Sequence, residues 1–252
     1  MKILAFTNEK GGVGKSTSAV NIAYLLQEKG YKVLLCDMDA QSNSSDTMRA
    51  QIDGALTMYE VLTDPNIKTS RAIQRTEFID IIPACHALRD LESQARSNDI
   101  SIHILKEKLS SLESYYDYIV IDSPPNLGFA LYVTLIAADD IIIPMIADRY
   151  SIQGLLELYE AIEFIRENYN PDLNIAGILL TRHSDRMVFA RKIRAYLEEF
   201  ASDIGTKVFA RAIRETIRVR ESQTYKVPLI QSDPYGTATF DYRAVLEKYL
   251  GE

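Results

Sequence analysis

Cysteine is scarce: Cys36 and Cys85 are the two in 252 residues, far apart and in no CxxC pair. That excludes a disulfide framework, argues against a zinc or iron–sulfur site within one chain, and suits a reducing cytosol. Long apolar runs are missing too. No stretch approaches the roughly 20 uninterrupted apolar residues of a membrane span. The opening MKILAFTNEKGG turns charged too early for a secretory signal. Linkers, repeats and low-complexity stretches are also absent, so residues 1–252 read as one domain and the expected compartment is the cytoplasm. What is present is the composition of a soluble globular protein, 47% apolar and 25% charged, long enough to bury a sizeable core.

The net charge of −7 speaks against nucleic acid as a partner, but its distribution does not. Between Arg182 and Lys226 there are 11 Lys/Arg against six Asp/Glu. One segment is therefore basic within an acidic remainder.

Short Ile/Val-rich runs at 2–7, 32–39, 78–84, 118–122, 140–145, 175–181 and 207–213 read as strands. Most are apolar on consecutive residues, as in a sheet covered on both faces. Segments of helical period separate them, at Ser16–Lys29, 102–112, 128–138, 155–169, 188–201 and 240–250. Sustained strand–helix alternation predicts an α/β fold with a doubly wound, mainly parallel sheet and helices on both faces. Residues 42–76, with the run SNSSDT, are the least regular and read as a loop-and-helix insertion.

Ligands bind such sheets at the carboxyl ends of the strands. There, NEKGGVGKST (8–17) nearly fits the phosphate-loop pattern G-x-x-x-x-G-K-[ST], with Glu9 where the first glycine belongs. Gly11, Gly12, Val13 and Gly14 can turn backbone N–H groups toward phosphate oxygens, helped by the positive end of the following helix. Lys15 would neutralise β- and γ-phosphate charge, Ser16 would ligate Mg²⁺, and Thr17 would donate to the α-phosphate. Asp37 and Asp39 flank Met38 at a strand end, so period two puts both carboxylates on one face.

KGGVGKST with its second lysine Lys10, then DMDAQ (37–41) and IVIDSPPNLG (119–128), resembles the deviant Walker A ATPases, a P-loop NTPase family. Within it the chain is most similar to the ParA/Soj partition ATPases, from about residue 2 to the C-terminus. The resemblance implies ATP and Mg²⁺ as cofactors, and a homodimer when ATP is bound. Lys10 would then reach the partner subunit's ATP. Asp39 would orient the attacking water, Asp37 would support the Mg²⁺ shell, and Asp122 would hold Mg²⁺ through water. Thr181 and Arg182 would border the adenine. Arg186 and Arg218 would contact double-stranded DNA without sequence preference, placing the dimer on the nucleoid. A ParB-like centromere-binding protein would stimulate slow hydrolysis. This chain departs from the family's usual proline at Ala40, glycine at Ser42 and proline at Arg214. No helix-turn-helix extension precedes the loop, so operator binding is not expected.

Three rival readings compete with this one. A MinD-like membrane-surface ATPase needs a basic amphipathic C-terminal helix, whereas FDYRAVLEKYLGE is charge-balanced. An iron–sulfur scaffold of the same superfamily needs poised interface cysteines. An ATP-binding regulator for another cargo is consistent with the altered 40–42 segment.

Overall fold

The structure is a computed structural model and describes residues 1–98, 100–183 and 188–252. The chain begins with β1 (Lys2–Phe6), passes through the glycine loop into α1 (Lys15–Glu28) and returns as β2 (Val33–Asp37). The irregular stretch folds as α2 (Asn43–Thr47), α3 (Met58–Thr63), a 3-10 turn at Thr69–Arg71 and β3 (Gln74–Arg75), ahead of β4 (Asp80–Ile82). A second 3-10 turn (His86–Asp90), α4 (Leu91–Ser97) and α5 (Ile104–Ser110) lead to β5 (Tyr118–Asp122). Then come α6 (Phe129–Ala137), β6 (Asp140–Ile146), α7 (Arg149–Asn168) and β7 (Asn174–Thr181). The remaining elements are α8 (Val188–Asp203), α9 (Ile217–Tyr225), α10 (Leu229–Ser232) and α11 (Thr237–Leu250).

The strands form one sheet in the order β3-β4-β2-β5-β1-β6-β7. All neighbours are parallel except β3–β4. Consecutive apolar residues alternate between faces, as a strand's period of two requires. Ile3, Ala5, Leu34 and Cys36 enter one core, and Leu4, Phe6, Val33 and Leu35 the other. The first core lies beneath α3–α8 and the second beneath α1, α10 and α11. Each large aliphatic side chain, fully buried, contributes roughly 1.5–3 kcal/mol, which is why the middles of the central strands β1, β2, β5 and β6 are apolar.

β1 sits between β5 and β6, so the chain builds outward from it in both directions. The switch point of the sheet, where open α/β folds bind ligands, is therefore the carboxyl end of β1, where the glycine loop starts. Register aligns that end with two carboxylates: Asp122 pairs with Phe6 on one side and with Asp37 on the other.

The expected strand at 207–213 is not a strand. It runs beside β7 through a single bridge, Val208 to Ile178, and through the bonds Phe209 N–H to Ile178 O (2.9 Å) and Ile213 N–H to Leu180 O (2.8 Å). Between those contacts the guanidinium of Arg194, on α8, donates to the carbonyls of Phe209 (3.3 Å) and Ala210 (3.0 Å). Carbonyls held by a side chain from outside do not continue the ladder.

Candidate nucleotide site

Asn8 fixes the start of the loop: its Nδ2 donates to the Pro144 carbonyl (2.8 Å) and its Oδ1 accepts from the Lys10 N–H (2.9 Å). Gly12 and Gly14 then take φ of +75° and +91°, a region where a Cβ is strained. Gly14 is the N-cap of α1 and has no side chain to cap it, so the first N–H groups of the helix are left for an anion. The loop, Lys15, Ser16, Thr17 and Asp39 line a cavity of about 350 Å³.

Lys15 is 6% exposed and its Nζ donates to the Lys10 carbonyl (3.1 Å). Burial lowers its ammonium pKa, opposed by the charges of Asp122 and Asp39. An ammonium beside the backbone N–H groups of the loop and short of water would be a strong partner for an anion.

Behind it the carboxylates are divided in role. Asp37 is fully buried: its Oδ1 accepts from Asp39 N–H (3.1 Å), and its Oδ2 from Ser45 N–H (2.8 Å) and Oγ (2.7 Å). Burial, then the neighbouring Asp122, push its carboxyl up, against those bonds. Asp122 accepts from Ser44 Oγ (2.7 Å) through Oδ2, while its Oδ1 is buried without a hydrogen-bond partner among the described residues. Burial pushes Asp122 to about 6, against the hydroxyls of Ser44 and Ser16. An orphaned buried acceptor costs of order 1–3 kcal/mol, and a hard, hydrated cation satisfies it. The residues present therefore fit Mg²⁺. Asp39 lies past the end of β2, so the pleat does not relate it to Asp37. Its own N–H bond to Asp37 does, together with the Gln41 N–H donated to Asp39 Oδ1 (3.0 Å).

Lys10 turns elsewhere. Its ammonium pairs with Asp148 and donates to Ser151 Oγ (3.3 Å), at the N-cap of α7. Asp148 is held below the usual carboxylate range: burial opposes this, and Lys10 and Ser151 outweigh it. Beside it, burial and then Glu157 push Glu9 up from the usual 4.5 to about 7.

Thr181 and Arg182 line a pocket beside the loop together with Gly14, Thr17 and Gln223. Thr181 Oγ1 donates to the Val13 carbonyl (2.7 Å), so this residue also supports the loop from below. Arg218 is exposed on α9 and paired with Glu221 (2.8 Å). Arg186 lies outside the described residues.

Sequence reasoning missed Ser44 and Ser45, although the hydroxyl-rich run after Asp39 was a signal for them. Asp148, as the counter-ion of Lys10, and Gln223, which donates to Thr17 Oγ1 (2.9 Å), carried no motif at all.

A family model described as an AAA domain matches residues 1–175. The chain is 33% identical over 236 residues to the sporulation initiation inhibitor protein Soj of Bacillus subtilis (strain 168), covering 92% of each. It is 32% identical over 234 residues to the chromosome partitioning protein ParA of Myxococcus xanthus (strain DK1622), covering 92% of this chain and 82% of that one. Among solved structures, apo McdA of Cyanothece superposes with a TM-score of 0.89 at 24% identity over the whole of both chains, a likeness of fold. Cobyrinic acid a,c-diamide synthase of Mycobacterium smegmatis, with bound ATP analog and magnesium, superposes with a TM-score of 0.87 at 27% identity, covering 99% and 94%.

Proposed function

The chain belongs to this AAA-domain family of P-loop ATPases, with ParA and Soj among its relatives, and from that footing we propose an ATP-dependent dimeric switch that grips DNA. ATP and Mg²⁺ occupy the 350 Å³ cavity, two subunits join, the joined pair holds duplex DNA without sequence preference, and hydrolysis releases it. The cargo is a replicon, and a ParB-like partner stimulates the slow hydrolysis.

Mg²⁺, when bound, would supply charge neutralisation during phosphoryl transfer. Ser16 and Asp122 would hold it, and Asp37 keeps the adjoining Ser45 segment in place. Lys15 and the N–H groups of Gly12–Ser16 bind the phosphates, and Asp39 orients the water. Such groups contribute by position and fixed charge, and phosphoryl transfer needs little else from a protein.

The direction of Lys10 carries this reading. Within its own subunit the side chain goes to Asp148 and Ser151 rather than into the phosphate cavity. A P-loop with a second lysine aimed out of it supports a role across a subunit interface, where each lysine offsets the repulsion of two polyanionic nucleotides. The apolar side of α11, with Ala238, Tyr242, Val245 and Leu246, is packed into the core with α1. This leaves little there for a membrane surface.

Titrating unrelated duplexes with ATP, ADP or no nucleotide at two salt concentrations tests the switch. Affinity should require ATP, ignore sequence and fall steeply with salt, and Arg218→Glu should abolish it. Lys10→Ala should bind ATP yet stay monomeric by light scattering. DNA binding that ignores nucleotide, or Lys10→Ala dimers of wild-type strength, would overturn it.

A further inference from the structure

The helix that carries Arg218 is attached to both nucleotide-sensing parts of the site. At its P-loop side, Gln223 Nε2 donates to Thr17 Oγ1 (2.9 Å). At its carboxyl end, Arg49 donates to the carbonyls of Tyr225 (3.3 Å) and Lys226 (3.1 Å), while Lys226 Nζ pairs with Asp46 (2.7 Å). Asp46 lies on α2 and Arg49 follows it. That same short helix places Ser44 on Asp122 and Ser45 on Asp37. Beyond these ties, α9 has Ser222 as its one buried residue and Val219 packed half-buried against the core.

From this we infer that Gln223 is a positioning residue that passes nucleotide occupancy from Thr17 to α9, and so sets the basic helix. The inference rests on the DNA-switch reading for its biological output, but the coupling itself does not require DNA. A hydroxyl has one proton and two acceptor lone pairs. With one lone pair occupied by the Gln223 amide, the Thr17 proton is free to be donated to a nucleotide phosphate. The result is a chain of donors from Gln223 through Thr17 to the phosphate, in which each bond polarises the next. Nucleotide therefore tightens the Gln223 contact rather than displacing it.

The two attachments report different things. Thr17 sits where the α-phosphate is expected, and ADP and ATP share that group. Asp46 and Arg49 belong to the segment after Asp39, which faces the end of the nucleotide that hydrolysis changes. Through Gln223 the helix senses that a nucleotide is present; through α2 it senses which one. An α9 pinned at both attachments holds Arg218 and Arg220 in one arrangement, and an α9 released from either does not.

Hydrogen exchange of residues 217–225, without nucleotide, with saturating ADP, and with saturating ATP and Mg²⁺, tests this directly. In wild type, ADP should slow exchange and ATP should slow it further. Gln223 is exposed, so Gln223→Ala should fold normally and, with nucleotide raised until the variant is saturated, should lose the ADP response. Thr17→Ser, which keeps the hydroxyl, should preserve that response, and Thr17→Val should not. In DNA titrations, the ratio of affinities with and without ATP should fall at least tenfold in Gln223→Ala, whereas Arg218→Glu should lose DNA binding in every state. If wild type shows no ATP-dependent DNA affinity, the DNA-switch reading fails, and the exchange response still decides the coupling. Exchange in α9 that ignores nucleotide in wild type, or a Gln223→Ala response of wild-type size, overturns it.

Discussion

The nucleotide site and the basic segment 182–226 are built on opposite terms. In the first, the carboxylates are buried at strand ends and held by named donors, with Asp122 Oδ1 left open for a cation. Asp37, at 0% exposure, accepts three hydrogen bonds. In the second, the charges are exposed and bonded to near neighbours: Arg218 to Glu221, Arg220 to Glu215, Arg194 to Glu198. The first site is fixed before any ligand arrives. The second is a surface whose contacts exchange cheaply, because exposed pairs are worth little.

The contrast also separates two kinds of arginine that a charge count merges. Arg194 fastens α8 to the 207–213 segment. Arg214 donates from Nε (2.9 Å) and NH2 (2.8 Å) to Asp241, which is fully buried on α11. These hold the fold, whereas Arg218 is exposed and pairs with Glu221 on its own helix, a contact cheap to exchange for a ligand.

Breaking the nucleotide site should produce the largest effect. Asp39→Ala removes the group proposed to orient water, and ATPase activity should fall at least ~100-fold while ATP binding persists, measured by phosphate release and by nucleotide titration. Retained turnover would show that another group positions the water. Next comes the division among arginines. Arg214→Ala leaves Asp241 buried with its main partner gone, and should cost about 2–3 kcal/mol in urea unfolding, with the half-exposed guanidinium keeping the loss below that of a wholly buried pair. Arg218→Ala should leave the unfolding midpoint unchanged and lower DNA affinity. Equal stability losses in the two variants would erase the distinction.

Much of the first region was legible in the sequence and little of the second was. The order of KGGVGKST, DMDAQ and IVIDSPPNLG survives into geometry because parallel register must bring β2 and β5 ends together at Asp37 and Asp122. Local spacing fails one step later. β2 ends at Asp37, and Asp39 is placed by a turn that alternation does not describe. Ser42 illustrates the same limit: its φ of +56° explains why glycine suits that position, but a serine there gives no sign of a left-handed turn in advance. The run 207–213 reads as a strand because its apolar pattern is right, and what interrupts it is a guanidinium from another helix. Long-range side-chain contacts such as Lys10–Asp148 and Thr17–Gln223 leave no local trace at all.

The smallest expected effect sharpens the comparison from inside the loop. Glu9 stands where the phosphate-loop pattern has glycine, and burial followed by Glu157 raise its carboxyl from 4.5 to about 7. A folded chain then keeps a proton between those values that the unfolded chain has lost. Stability contributed by the protonated carboxyl is present at acid pH, declines as pH rises through that window, and levels off above about 7. Glu9→Gln cannot ionise, so its melting temperature relative to wild type should increase from pH 5 to pH 8. The rise should be small, because Glu9 is only half-buried and solvent screens its side chain in part. Thermal melts of the nucleotide-free proteins at the two pH values measure it. A difference that stays constant with pH would mean that Glu9 is ionised in both states. The loop entrance would then resemble the exposed basic surface, rather than the buried site it leads into.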